Sequence, residues 1–284
     1  MFRLTGFTTA LLLFAIGSTG FAQDLPKPEA PGDSSAPREI RDNSFFIEEA
    51  FNQEEGVVQH INGYSRDTRS GDWVYTFTQE WPAPGITHQL SYSVPLVSSA
   101  DSTRHAHVGD VILNYRYQLA GDGDSAFACA PRVSVVTPTG DEKRGAGTGG
   151  WGLQVNLPVS YLLTDRFAIH GNAGGTWTYR ARSAEGDRGN LGQFAAGGSL
   201  VWIASHDANF LLEALWTRTE EMRAGGRRDW TSDTTLVPGL RWAFDFAGGL
   251  QIVPGIGFPI GVGGSRGDRG VFLYLSFEHS FQRK

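Results

Sequence analysis

Apolar and polar residues alternate along most of this chain. In residues 109–119, Val111, Leu113, Tyr115, Tyr117 and Leu119 fall on one side of an extended strand. Asp110, Asn114, Arg116 and Gln118 fall on the other, with Ile112 alone out of step. Successive side chains of a strand point to opposite faces, so such a segment has one apolar and one polar face. The same pattern runs from Trp151 to Leu163 through Leu153, Val155, Leu157, Val159 and Tyr161, and sets Trp73, Tyr75, Phe77 and Trp81 against Thr76, Thr78 and Glu80. It predicts twelve strands, at 56–64, 72–81, 86–97, 108–119, 126–138, 150–163, 166–180, 191–203, 208–220, 231–244, 249–262 and 270–282.

The connections alternate in length. Segments 65–71, 98–107, 139–149, 181–190, 221–230 and 263–269 are long and polar; 82–85, 120–125, 164–165, 204–207 and 245–248 are short. A soluble sandwich has no reason to sort its loops this way. A membrane barrel does, with tight turns on the periplasmic side and longer loops outside. The strands also reach or exceed the roughly 9–11 residues needed to cross lipid at a tilt. An even strand number lets the first pair with the last and removes open edges. All 8 tryptophans lie in or at the ends of predicted strands, where aromatic girdles sit. The expected fold is all-β, an antiparallel transmembrane β-barrel of about 12 strands with a short N-terminal helix.

The N-terminal residues lack this texture. Arg3, the apolar run from Leu11 to Ile16 and the small residues Gly20 and Ala22 read as a signal peptide over 1–22. Residues 23–43, with Pro26, Pro28, Pro31 and Pro37 among charges and serines, read as a disordered linker. In 44–55, Phe46, Ile47, Ala50 and Phe51 recur at helical spacing behind Ser44, an N-cap candidate. That spacing predicts a short helix contacting or plugging the barrel formed by 56–284. Its plugging side chains are Phe45, Phe46, Ile47, Glu48, Glu49, Phe51 and Gln53, because phenylalanines exposed on a free linker are unfavourable.

Composition narrows the picture further. With 24 Lys and Arg against 30 Asp and Glu, the chain carries a formal charge of −6 and has no basic footprint for nucleic acid. Beyond the leader no run of 18 apolar residues occurs, which excludes an ordinary membrane-spanning helix. Cys129 is the single cysteine, so no intrachain disulfide forms; sharing a face with Phe127, Val133 and Val135, it reads as a lipid-facing side chain.

Long stretches carry a family resemblance: FFIEEAFNQEEGVVQHI, DWVYTFTQEWPAP, HQLSYSVPL, GDVILNYRYQL, APRVSVVTPTGD, GLQVNLPVSYLL, HGNAGGTWT, VPGLRWAF, GLQIVPGIGFPIGVG and RGVFLYLSFEHSF. In this order they resemble the family described as "Putative MetA-pathway of phenol degradation", whose members are described as outer-membrane transporters. The resemblance covers nearly the whole chain beyond the leader and implies a transport barrel with no cofactor and no catalytic motif. Gly270, Leu273 and Leu275 also resemble the terminal strand signal read by the barrel-assembly machinery, although the chain continues past Phe281 to Lys284.

Several groups are candidates for function. Glu80, Asn114, Arg116, Arg132, Gln154, Asn156, His170, Asn172, Arg180, Glu213, Arg241 and Glu278 should project into the lumen. There they would form a selectivity lining, or pair with one another and fill the barrel. Arg66, Arg69, Arg144, Arg188, Arg227, Arg228 and Arg266 belong to the external loops, where guanidinium groups suit the phosphates of lipopolysaccharide; ordinary solvated loops with interleaved acids are the second account, and steering of anionic solutes to the mouth the third. The loop Gly145-Ala146-Gly147-Thr148-Gly149-Gly150 matches a dinucleotide fingerprint in letters only, because an alternating strand follows it instead of a helix. His105 and His107 are spaced to share a face but lack further metal ligands nearby. His170 and His279 are the histidines a lipid-modifying enzyme would need, without a sequence-visible serine and acid.

These readings converge on an outer-membrane channel for passive passage of small molecules, aromatic or hydrophobic ones included. Outer-membrane lipid and lipopolysaccharide, the assembly machinery and a small solute are its expected partners. A filled barrel acting through its loops and a lipid-modifying barrel enzyme are the alternatives.

Overall fold

The computed structural model describes residues 40, 42–83, 85–98, 105–122, 125–247 and 249–280. The signal-peptide assignment and most of the linker assignment lie outside them. Twelve antiparallel strands close into one barrel. β1 is Val57–Asp67, β2 Trp73–Pro82 and β3 His88–Ser98; β4 joins His107–Val108 to Ile112–Tyr117. β5 joins Phe127–Cys129 to Arg132–Val136, and β6 joins Trp151–Asn156 to Val159–Thr164. β7 is Phe167–Arg182, β8 Arg188–Ser205 and β9 Ala208–Met222. β10 is Arg228–Trp242, extended by Phe244–Phe246; β11 joins Leu250–Gly257 to Ile260–Val262; β12 is Gly270–Ser280. The first and last strands pair from Val57↔Ser280 to Asp67↔Gly270, which closes the sheet.

Five predicted strands are interrupted, and three of the breaks hold a proline: Pro131 in β5, Pro158 in β6 and Pro259 in β11. Proline has no N–H for the ladder, so pairing lapses there and resumes two residues later. The alternation survives the breaks. Leu113, Tyr115, Tyr117, Leu153, Val155, Leu212, Leu273 and Leu275 are exposed on the outside, while their neighbours Asn114, Arg116, Gln154, Asn156, Glu213 and Ser276 are buried inside. An apolar outer belt around a polar interior is the pattern of a barrel solvated by lipid. Trp151, Trp177, Trp202, Trp216, Trp230 and Trp242 are among its exposed aromatics.

Four expectations need correction. Residues 44–53 form no helix; they run as irregular backbone inside the barrel. Burial begins earlier than the linker boundary at 43, with Ile40 and Asp42 already enclosed. Arg180 does not enter the lumen: a bulge between Thr178 and Ala181 shifts the alternation, and Arg180 is exposed with a positive φ of 53°. Cys129 is buried where β5 bends toward Pro131, so it does not face lipid.

One long loop turns inward. The Asp110 carboxylate accepts from the backbone N–H of Gly140 (2.9 Å) and Thr148 (2.7 Å) and from the Thr148 hydroxyl (2.9 Å). This tucks Ala146 against the inward-facing Val74 and Val97. A Cβ at Gly147 would stand 2.5 Å from the Asp110 carboxylate oxygen, so the close approach needs glycine there. The loop leads into the strand Trp151–Asn156, as its letters-only match to a nucleotide motif required.

Candidate functional site

Ile40 and residues 42–53 form a ring against the inner wall, in the half of the barrel nearer the short turns. Going backwards along the chain, the ring meets the strands in order. Gln53 N–H donates to Gln89 Oε1 on β3 (2.7 Å), and Asn52 N–H to Gln118 Oε1 just beyond β4 (2.9 Å). Ala50 N–H donates to Ser160 Oγ on β6 (2.8 Å), and Glu48 N–H to Asn172 Oδ1 on β7 (2.8 Å). The Glu213 carboxylate on β9 accepts from Phe45 (2.8 Å), Phe46 (2.9 Å) and Ile47 (3.4 Å). Arg241 on β10 donates to the carbonyls of Asp42 (2.7 Å), Asn43 (2.9 Å) and Ile40 (2.8 Å). Asp42 then accepts from Tyr274 and Ser276 on β12.

The two ends of the ring meet on β1. Gln59 accepts from the Gln53 side chain and donates to Asp42 Oδ1 (2.8 Å). Sequence reasoning placed Gln118 on the inward face but missed this clasp, together with Gln89, Ser160, Tyr274 and Ser276. Their signal was present, since all are polar residues at or beside inward strand positions.

Ion pairs fix the ring's acids. Glu48 meets Arg116 (2.8 Å) and Arg132 (2.8 Å), and Glu49 meets Arg241 (3.0 Å). Arg116 also donates to Asn52 Oδ1 (2.8 Å) and to the carbonyl of Phe51. Each of these charges is at most 6 % exposed, so its partner offsets the cost of burying it. The predicted lumen residues Arg116, Arg132, Asn156, Asn172, Glu213 and Arg241 therefore converge on the ring, Asn156 through Glu48 Oε2 at 3.1 Å. Glu80 lies beside it and accepts from Gln89 Nε2 (2.7 Å). Asn114 bonds instead to Ser91 (3.0 Å) and Ser134 (2.6 Å), Gln154 is buried on the wall, and Glu278 is half-buried near the short-turn end.

The apolar residues of the ring lean to one side. Phe45 and Phe46 join a buried cluster with Val201, Leu211, Leu215, Val237, Val253, Phe272 and Tyr274, all but Phe272 and Tyr274 lying on β8 to β11. A Cβ at Gly239, Gly255 or Gly257 would fall 2.3, 2.8 or 2.9 Å from the Phe45 ring, so these inward glycines form its seat. Ile47 is seated likewise at Gly197, 2.7 Å from a Cβ placed there. Phe51 packs with Ala50, Ala128 and Ala130.

The opposite wall is not filled. A cavity of about 140 Å³ lies between residues 43–48 and the strands β1 to β4, lined by Ile61, Thr76, Thr78, Ser93, Pro95 and Ile112 on the wall side. Glu80, Arg132 and Phe272 complete it. Within the ring itself, between Asn43, Glu49, Phe51 and Gln53, only about 10 Å³ remains. That is room for a single water.

One histidine meets a serine and an acid inside the barrel. His170 Nδ1 lies 2.7 Å from Ser160 Oγ and its Nε2 3.8 Å from Glu49 Oε1, a serine and an acid that sequence spacing concealed. His170 is buried, Ser160 Oγ also accepts from Ala50 N–H of the ring, and Glu49 is paired with Arg241. His279 stacks on His60 on the outer surface, 5.5 Å between centroids. His107 lies 3.4 Å from the Arg144 guanidinium, and His105 is exposed. At a short turn, His206 Nδ1 meets Asp207 at 2.6 Å, which raises the imidazole pKa above its ordinary value. Asp245 completes an exposed three-ligand group there, an arrangement common without any ion.

At the long-loop rim the arginines are solvent-facing and several have partners: Arg144 with Asp141 (3.2 Å), Arg227 with Asp229 (3.4 Å) and Arg228 with Glu220 (3.5 Å). Arg66, Arg69, Arg188 and Arg266 are exposed as well.

Solved structures share this architecture. An outer membrane channel from Pseudomonas putida F1 superposes with a TM-score of 0.67 at 15% identity, over 86% of this chain and 100% of that one. The NanC porin (TM-score 0.50, 12% identity, 78% and 98% covered) and the KdgM porin (0.50, 12%, 79% and 99%) are similar in fold as well. No curated protein matches the sequence. A family model matches residues 48–270, the last part of the ring and nearly all of the barrel, and on that match the chain belongs to the family described as "Putative MetA-pathway of phenol degradation".

Proposed function

We propose that the protein is a passive outer-membrane channel for small solutes, narrowed by the ring of Ile40 and residues 42–53. The carrying observation is the unequal lumen: a cavity of about 140 Å³ lies along one wall, while the space between Asn43, Glu49, Phe51 and Gln53 of the ring is about 10 Å³. On this reading a solute larger than water passes the ring when the ring shifts. An apolar cavity of about 150 Å³ is known to accept a benzene ring. The cavity here pairs apolar Ile61, Pro95, Ile112 and Phe272 with hydroxyl and charged groups, which suits a one-ring molecule bearing a polar substituent. The family's description, which refers to phenol degradation, points the same way.

Export through a signal peptide in residues 1–22 and membrane assembly by the barrel machinery belong to this reading. No cofactor and no catalytic step are part of it. Single-channel conductance of the refolded barrel, intact and with residues 23–53 deleted, is the test. Low or flickering conductance that becomes large and steady on deletion supports the reading. Silence from both proteins, with refolding confirmed, defeats it.

One observation favours a second reading. The ring is tied to nine different strands, more than a mobile gate requires. If it never leaves, the barrel is a filled scaffold acting through its loops, and deletion alone opens it. A lipid-modifying activity would instead require turnover of labelled lipid that Ser160→Ala abolishes.

A further inference from the structure

The rim arginines divide into two classes. Arg144, Arg182, Arg223, Arg227 and Arg228 each face a carboxylate at 2.8–3.8 Å. The second class, exposed and in no ion pair with any of the described residues, holds Arg180 on β7, Arg188 on β8 and the four residues Arg66, Arg69, Arg266 and Arg269. These four gather where β1 meets β12. Thr68 donates its N–H (2.8 Å) and hydroxyl (2.9 Å) to the carbonyl of Arg269, which binds the two loops together. The Arg69 guanidinium reaches across to Gly267, within 3.7 Å of where a Cβ would stand, between Arg266 and Arg269. The neighbouring Asp67 is turned to local work, accepting from the backbone N–H of Arg69 (2.8 Å) and Ser70 (2.7 Å).

The position of Arg66 says which environment this cluster meets. It shares the outer, lipid-facing side of β1 with Tyr64 and sits directly opposite Trp73 on β2. Tyr64 and Trp73 pack together at 5.8 Å between ring centroids, in the manner of an interfacial aromatic layer. Arg66 follows immediately on the long-loop side, at the depth of the lipid headgroups. Four guanidinium groups beside an aromatic layer, on a chain of net charge −6, form a local exception to its acidity. Planar guanidinium groups bind phosphate through paired hydrogen bonds.

We propose that Arg66, Arg69, Arg266 and Arg269 form a binding surface for the phosphorylated headgroup of an outer-leaflet glycolipid of the lipopolysaccharide class. A free phosphate offers the same chemistry, but it would not call for Arg66 on the lipid-facing side. The surface anchors the barrel in the outer leaflet at one sector of its circumference, independently of what passes through the lumen.

The test is binding of fluorescent lipid A to the detergent-purified full barrel, with a chelator present so that divalent cations cannot bridge carboxylates to phosphates. The quadruple variant Arg66→Gln, Arg69→Gln, Arg266→Gln, Arg269→Gln should lose about tenfold or more in affinity, as expected when charge-assisted contacts are removed. The control, Arg144→Gln, Arg223→Gln, Arg227→Gln, Arg228→Gln, should change by less than about twofold, because its arginines already have partners. Dephosphorylated lipid A should bind the unaltered barrel as weakly as lipid A binds the first variant. Equal losses in both variants, or equal binding of the dephosphorylated lipid, would overturn the proposal. So would inorganic phosphate displacing lipid A at equal concentration, which would mark a free-anion site.

Discussion

The two walls of the lumen are built for different tasks. Along β8 to β11, Phe45, Phe46 and Ile47 are seated on glycines and aliphatic side chains, with Glu213 and Arg241 gripping the backbone above them. Along β1 to β4 the wall presents Ile61, Thr76, Thr78, Ser93 and Ile112 to open volume. The first wall holds and the second leaves a passage. The difference lies under the ring's apolar side chains: glycines and aliphatic residues seat Phe45 to Ile47 on one side, while small hydroxyl and β-branched residues leave open volume on the other, although Gln59, Gln89 and Arg116 there also bond to the ring. A ring seated more closely on one wall can narrow the lumen without filling it.

Breaking the holding wall should have the largest effect. Arg241 is fully buried and serves three carbonyls and Glu49, so Arg241→Ala strips the partner from a buried charge. Loss of such a pair costs about 3–5 kcal/mol. Residues 40–49 should detach from the wall, become protease-sensitive and raise conductance; unchanged proteolysis and conductance would refute the assignment of holding to this wall. Glu213→Ala leaves three backbone N–H groups of the ring without their acceptor, at about 1–3 kcal/mol, and should loosen Phe45 to Ile47 in hydrogen exchange. Gly255→Ala forces the Phe45 ring from its seat by overpacking, about 1–3 kcal/mol, with an intermediate rise in open probability.

The passage wall should respond in the opposite way. Ile61→Phe adds atoms to free volume, so stability should change by less than about 1 kcal/mol while conductance falls. A large stability loss without a conductance change would show that this wall also holds the ring. The smallest effect belongs to the rim: Arg227→Gln removes an exposed pair worth about 0–1 kcal/mol and should leave melting temperature and conductance alone.

Much of the barrel was legible from alternation because lipid and lumen impose opposite demands on neighbouring residues. In β6 the expected span of 150–163 differs from the observed ends by a single residue. The strap was misread for a specific reason. Phe46, Ile47, Ala50 and Phe51 have helical spacing, yet an isolated short helix is marginal. Here the N–H groups of residues 45–48, 50, 52 and 53 find acceptors on barrel side chains instead of carbonyls four residues back. Arg180 was misplaced because a bulge leaves no mark in a period-two pattern.

The amino-acid sequence by itself determined the strand count, the inside and outside of the strands apart from the bulge at Arg180 and the break beside Cys129, and the parity of long and short connections. These follow from local chemistry, one residue against the next. Only the tertiary structure decided that Glu48 reaches Arg116 and Arg132, that Gln59 clasps both ends of the ring, and that Phe45 sits on Gly239, Gly255 and Gly257. Those partners lie far apart along the chain and meet because barrel closure brings the strands into a circle. Pairing across that circle depends on register and curvature, which no local pattern encodes.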